Sequence, residues 1–212
     1  MTTLSSANRA RRVQDRAFDQ QWGTDTSGGV GVHDLGFDPA IIDQCRRYDP
    51  SDAAMLREPV ELLGIVPARC DFIDYGAGKG RMLMLAMQMG FKSVTGVELA
   101  GSLCEIARDN LQRFTARSGI QSDAAIVQAD ATSYTPAGAH IVAYFYNPFG
   151  AQIMREVQLQ LERALAMETD CVTIIYANPE HHRIYADNPR WMPGPSLTGI
   201  ATFTAEAAVF RA

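Results

Sequence analysis

The sequence predicts an α/β fold, a mostly parallel sheet closed at its C-terminal edge by an antiparallel hairpin. Three observations carry this. From residue 70 onward, short β-rich runs alternate with stretches of helical periodicity, as right-handed βαβ crossovers require. Residues 140–146, His-Ile-Val-Ala-Tyr-Phe-Tyr, form an almost unbroken apolar run, the pattern of a parallel strand buried on both faces. At the C-terminal end, runs 196–204 and 207–210 are separated by little more than a turn, which reads as a hairpin.

Taken in order, residues 70–75 read as the first strand and 81–89 as the helix that follows it. Residues 93–98 form the second strand. A helix over 102–118 carries its apolar face on Leu103, Ile106, Ala107, Leu111 and Phe114. The third strand is 124–128, the fourth 140–146, and 153–166 is helical before a fifth buried strand at 171–176. Residues 23–36 are rich in Gly, Ser, Thr and Asp and read as a long loop between two short helices. Loops of that length in compact domains are often lids or binding segments. The organisation expected is one compact unit, with 1–51 as a helical and loop lid segment over a main domain of 52–212.

Composition narrows the function. A chain of 212 residues with 47% hydrophobic and 20% charged residues has the balance of a folded globular domain. Its apolar runs are interrupted before the roughly 18–20 residues needed to span a bilayer, so no membrane segment is expected. Arg9, Arg11, Arg12 and Arg16 near the N-terminus are not followed by an apolar stretch, which argues against a secretory signal and for the cytoplasm. The net charge of −5 argues against a partner with a phosphate backbone. Cys45, Cys70, Cys104 and Cys171 are scattered with no close pair, so each reads as a small buried hydrophobe. His181 and His182 are adjacent and on a helix point about 100° apart. No metal site is indicated.

The chemistry concentrates in Asp74-Tyr75-Gly76-Ala77-Gly78-Lys79-Gly80-Arg81, directly after the first strand. Alternate glycines let a backbone turn tightly and meet a ligand with no Cβ in the way. A phosphate-binding Walker loop needs Ser or Thr after Lys79 and a glycine at position 73; Gly80 and Ile73 stand there. A dinucleotide fingerprint needs Gly or Ala where Arg81 stands. An acid two residues before Gly-x-Gly-x-Gly repels a pyrophosphate and suits a ligand carrying an ammonium. A glycine-rich turn with no ligand is the remaining alternative. Glu98 ends the second strand, where a carboxylate can accept the hydroxyls of a ribose or simply stabilise a helix N-terminus. Asp130, with Ala131, follows the third strand and can face a base or cap a turn. Tyr146-Asn147-Pro148-Phe149 ends the fourth strand, where open α/β sheets hold reacting groups; Asn-Pro is also a common turn starter.

These motifs resemble those of class I S-adenosylmethionine (SAM) dependent methyltransferases, which have a Rossmann-like fold with a C-terminal hairpin. The resemblance implies cofactor contacts from Asp74, Gly76, Ala77, Gly78 and Gly80. It implies that Glu98 meets the sugar, that Leu99 also contacts the cofactor, and that Asp130 and Ala131 meet the adenine. Asn147, Pro148 and Phe149 are similar to the Asn/Asp-Pro-Pro-aromatic segment of amino methyltransferases, which binds a planar nitrogen nucleophile; Phe149 stands where the second proline would be. A longer resemblance is to uncharacterised bacterial SAM-dependent methyltransferases. It runs through Phe18-Asp19, Gly23-Thr24-Asp25-Thr26, Tyr48-Asp49-Pro50, the glycine loop, Gly96-Val97-Glu98, Tyr146 to Phe149 and Tyr176-Ala177-Asn178-Pro179. Part of it is similar to non-SET histone-lysine methyltransferases, by which Tyr48 and the loop at 23–28 would lie over the cofactor. The expected activity is N-methylation of a protein side chain or small amine. The alternatives are O-methylation of a small metabolite or carboxylate, and a SAM-binding partner subunit without turnover.

Overall fold

The computed structural model describes residues 6–207, with side chains from Arg12 onward. Its sheet has seven strands: β1 (Asp71–Tyr75), β2 (Ser93–Glu98), β3 (Asp123–Gln128), β4 (His140–Tyr146), β5 (Cys171–Ala177), β6 (Met192–Pro193) and β7 (Ile200–Glu206). Their order is β3-β2-β1-β4-β5-β7-β6. The first five strands pair in parallel, while β7 runs antiparallel to both β5 and β6. The helices are α1 (Ser6–Trp22), α2 (Ala54–Leu62), α3 (Arg81–Met89), α4 (Gly101–Ser118), α5 (Ala151–Ala166) and α6 (Arg183–Ala186). Among the described residues, no helix is long and apolar enough to cross a membrane.

Two details differ from the sequence expectation. The partner of β7 in the closing hairpin is β6, a strand of only two residues, Met192–Pro193, separated from β7 by residues 194–199, and β7 itself starts later than expected, at Ile200. Sequence periodicity cannot register a two-residue strand. The expected strand at 207–210 falls from residue 208 onward outside the described residues. The first helix is long, 17 residues, where a short one was expected. Its mate is tertiary: Trp22 packs edge-on against Phe114 of α4, ring centroids 4.9 Å apart.

Both faces of the sheet are covered, which explains the continuous apolar strands. Successive residues of a strand point to opposite faces. Phe72, Val94, Val142 and Tyr144 therefore join α2, α3 and α4 in one core. Ile73, Val97, Ile141, Ala143, Phe145 and Tyr176 join α5, Tyr185 and Trp191 in the other. Large side chains buried this way stabilise by about 1.5–3 kcal/mol each relative to exposure. The edges are blunted differently. β3 is half exposed, and β6 is short and ends in Pro193, which has no N–H to offer another strand.

The topology also places the site. The connection from β1 leads to β2 on one side, whereas β4 pairs on the other side of β1, so the strand order reverses between them. A crevice opens outside the carboxyl ends of strands at such a switch point. Here it receives the residues after Tyr75 and after Tyr146.

Candidate active site

A cavity of about 770 Å³ opens at this switch point, lined by residues from the N-terminal segment, the glycine loop and the ends of β2, β4 and β5. Of the residues singled out in the sequence, it brings together Tyr48, Asp74, Gly76, Ala77, Gly78, Glu98, Asn147 and Pro148.

The glycine loop can turn because of two positions. Gly76 has φ +79° and its missing Cβ would stand 2.6 Å from the Pro148 Cβ, so the loops after β1 and β4 close on each other only because Gly76 has no side chain. Gly78, at φ +54°, lies directly under the Tyr48 ring. That ring is held over the loop by two devices. Tyr48 and Val30 exchange backbone hydrogen bonds of 3.0 Å, and the Tyr48 hydroxyl donates to the Thr26 carbonyl at 2.7 Å.

The two floor carboxylates differ. Glu98 accepts from the backbone N–H of Gly78 at 2.9 Å and of Ala100 at 2.8 Å. Burial raises its pKa, and bonds from the backbone of Ala100, Gly78 and Leu99 pull it back part of the way. Asp74 is 4% exposed and, among the described residues, has no hydrogen-bond or ion-pair partner. Burial, with the Glu98 charge adding to it, pushes its carboxyl up to about 8. A buried carboxylate without a partner would gain from a cation placed beside it.

Lys79 and Arg81, both buried, tie the N-terminal segment to the glycine loop. The Lys79 ammonium donates to Asp25 at 3.1 Å and to the Ser27 carbonyl at 3.4 Å. Arg81 pairs with Asp15 of α1 and donates to the Thr26 hydroxyl at 2.8 Å. Asn110 of α4, 1% exposed, bonds the backbone of both Asp25 and Lys79. Asp19 organises the same turn, accepting from Thr24, Thr26 and Ser27. Burial raises its pKa, but the bonds from Ser27 and Thr26 outweigh that and leave it lowered.

No protein-family model matches the chain, and no curated protein matches it. Solved structures do. An RNA methyltransferase from Salinibacter ruber, in complex with S-adenosyl-L-homocysteine, is similar with a TM-score of 0.52 and 15% identity, over 76% of this chain and 94% of that one. The magnesium protoporphyrin IX methyltransferase of Synechocystis with bound SAM is similar with a TM-score of 0.50 and 12% identity, over 98% and 100%. The fold is that of the class I methyltransferases.

Within that fold, some expected site residues stand apart from the cavity lining. Asp130 caps the short 3-10 helix Ala131–Ser133, accepting from the N–H and hydroxyl of Thr132, both at 2.8 Å. Ala131 is buried in the α5-side core. Gly80, at φ +81°, starts α3 and lets it pack on α4, its missing Cβ 3.3 Å from that of Ala107. Leu99 follows Glu98 in the turn into α4. Phe149 packs against the α5-side core, and its backbone bridges to Cys45. Of the cysteines, Cys104 is fully buried and the other three are half-buried.

The turns after β4 and after β5 both hold backbone in an unfavourable region. Asn147 (φ +42°) and Asn178 (φ +49°) are the two non-glycine residues with positive φ among those described; each precedes a proline and each lines the cavity. Such backbone costs on the order of 1–3 kcal/mol per residue and persists where the surroundings dictate it. The Asn147 amide is held at both ends: its Nδ2 donates to Glu180 at 3.1 Å and its Oδ1 accepts from the Tyr176 hydroxyl at 3.2 Å. Glu180 in turn faces Arg46 at 3.6 Å and His181 at 3.9 Å. The Asn147 bond, then His181 and Arg46, hold the Glu180 carboxyl below its usual range. Burial pushes the Tyr176 hydroxyl up to about 12, against a bond from the His181 N–H. Sequence reasoning missed Asp15, Arg46 and Glu180. Of these only Glu180 left a trace, as the residue after the second Asn-Pro pair.

Proposed function

We propose that this chain is a SAM-dependent methyltransferase that transfers a methyl group to nitrogen on a protein side chain or small amine. The observation that carries the reading is Asp74: a buried carboxylate with no partner among the described residues, on the floor of a cavity beside the glycine loop. SAM, when bound, supplies a methyl group on a sulfonium, activated for in-line displacement. Asp74 is the counter-charge for an amino-acid ammonium, and a cation there lowers its carboxyl back toward the ordinary range. Glu98 already accepts backbone N–H bonds, from Gly78 and Ala100 among them, and an ionised carboxylate still has lone-pair capacity for a hydroxyl. Gly76 and Gly78 let the loop lie close against Pro148 and the Tyr48 ring, and Tyr48, with residues 27–29, lines the cavity from the N-terminal side, where it shields a ligand from water. Asn147 and Pro148 line the same cavity from the β4 side, where the acceptor must approach for alignment to contribute to rate.

Calorimetry on the full chain tests the cofactor assignment. SAM is expected to bind, with Asp74→Asn and Glu98→Ala each weakening it by roughly 1–3 kcal/mol. No binding by the unmodified chain overturns the reading. Incubation with methyl-labelled SAM and fractionated lysate tests the acceptor. Label in protein or small amines supports N-methylation of those classes, label in nucleic acid or esters reassigns the acceptor, and binding without label anywhere marks a partner subunit.

A further inference from the structure

The turn after β5 does something the cofactor site does not require. Asn178 enters the left-handed region, its N–H bonds the Gly199 carbonyl at 2.8 Å, and the Glu180 N–H closes a tight turn onto the Asn178 carbonyl at 2.8 Å. This sequence throws Glu180 back toward the end of β4, against Asn147. Tyr176 reaches Asn147 from the strand itself, its ring edge-on to Phe145 at 5.9 Å.

Resting on the methyltransferase reading, we propose that Tyr176 and Glu180 are positioning residues: they clamp the Asn147 carboxamide from both ends, leaving its oxygen one lone pair for an N–H of the methyl acceptor.

The donor and acceptor inventory makes the clamp directional. An ionised Glu180 has no proton to give, so it must face the Asn147 NH2. The Tyr176 oxygen receives the His181 N–H at 3.3 Å, which commits its own proton to the Asn147 oxygen. Swapping the amide's two ends would set oxygen against carboxylate and NH2 against a donated proton, losing both bonds and adding repulsion. Around neutral pH both partners keep the protonation states this needs. The Asn147 oxygen has two lone pairs and Tyr176 uses one. What remains accepts a hydrogen bond, so the methyl acceptor it suits is one whose reacting atom still bears hydrogen, as an amine nitrogen does. An acceptor that presents only oxygen lone pairs meets a lone pair here, with the Glu180 charge beside it.

Two measurements on the full-length protein decide this. The first needs no acceptor. The side-chain amide resonances of Asn147, assigned by their loss in Asn147→Asp, are followed by 15N–1H NMR in Tyr176→Phe and Glu180→Gln. The clamp predicts shifted resonances and faster hydrogen exchange in both variants, with Tyr176→Phe keeping its ring contacts; unchanged resonances overturn it. The second is label transfer from SAM. Glu180→Gln is expected to lower turnover at least about tenfold, and Tyr176→Phe about threefold to tenfold, the scale of one charged and one neutral hydrogen bond. SAM affinity should stay within about twofold in both, and Glu180→Asp should recover part of the loss. Weakened SAM binding in the two variants overturns the proposal by moving these residues to the cofactor. Failure of the unmodified chain to bind SAM sinks the methyltransferase reading instead, while the NMR result still decides the clamp.

Discussion

The two halves of the cavity are built by opposite means. On the β1–β2 side the cavity rests on main chain: Gly76 and Gly78 let Pro148 and Tyr48 close onto the backbone, Glu98 is held by the N–H groups of Gly78 and Ala100, and Asp74 has no partner among the described residues. On the β4–β5 side the surface is side chain against side chain, Asn147 between Tyr176 and Glu180 with Arg46 beyond. A site made of backbone suits a ligand of fixed shape, because main-chain geometry cannot be retuned residue by residue. Side-chain contacts can be exchanged one at a time, which is where a fold shared by many enzymes changes its acceptor. The N-terminal segment is bound to the first half through Lys79 and Arg81, so the cover over the cavity and the glycine loop form one unit.

The comparison can be broken hardest at Arg81. Arg81→Met leaves Asp15 as an unpaired buried charge and is expected to cost about 3–5 kcal/mol, read as a lower denaturant midpoint. The double variant with Asp15→Leu should recover much of that, since removing both charges removes the uncompensated one. Next is the seam between the halves. Gly76→Val forces a β-branched residue into positive φ and against Pro148, and about 2–4 kcal/mol of destabilisation is expected, with SAM binding lost in calorimetry.

Asp74 gives a smaller effect with a defined sign. Its folded-state carboxyl lies near 8, above the ordinary value of 3.8, so the folded protein binds the proton more tightly than the unfolded chain. The contribution to stability is full below about pH 4 and is lost as pH rises toward 8. Asp74→Asn should flatten that decline and raise the melting temperature at pH 8 by several degrees, on the scale of about 2–4 °C per kcal/mol. The same variant should abolish the tightening of SAM binding expected between pH 6 and about 7.5. The mildest break is in the second half. Asn147→Ala removes the clamped amide and relieves little packing; turnover should fall by roughly 1–2 kcal/mol in activation terms, with SAM affinity nearly intact. The reverse result would place Asn147 with the cofactor.

Legibility followed the same division. The glycine loop, Glu98 and the Asn147-Pro148 turn could be found from the chain because each rests on local backbone chemistry after a strand. The roles of Lys79 and Arg81 could not. As letters they belong to a loop tested for phosphates, and only the approach of α1 and residues 25–27 shows them as ion-pair partners. Asp130 shows the limit from the other side: the same residue can face a base or cap a turn, and in this structure its carboxylate caps Ala131–Ser133.

By itself the sequence determined the order of strands and helices, the parallel core and the positions of the glycine turns, since periodicity and φ preference act within a few residues. Only the tertiary structure decided that β6 pairs with β7, that among the described residues Asp74 has no partner while Glu98 is held by backbone N–H groups, and that Glu180 meets Asn147 from 33 residues away. Burial and pairing between distant segments are properties of the packed chain, and no local pattern encodes them.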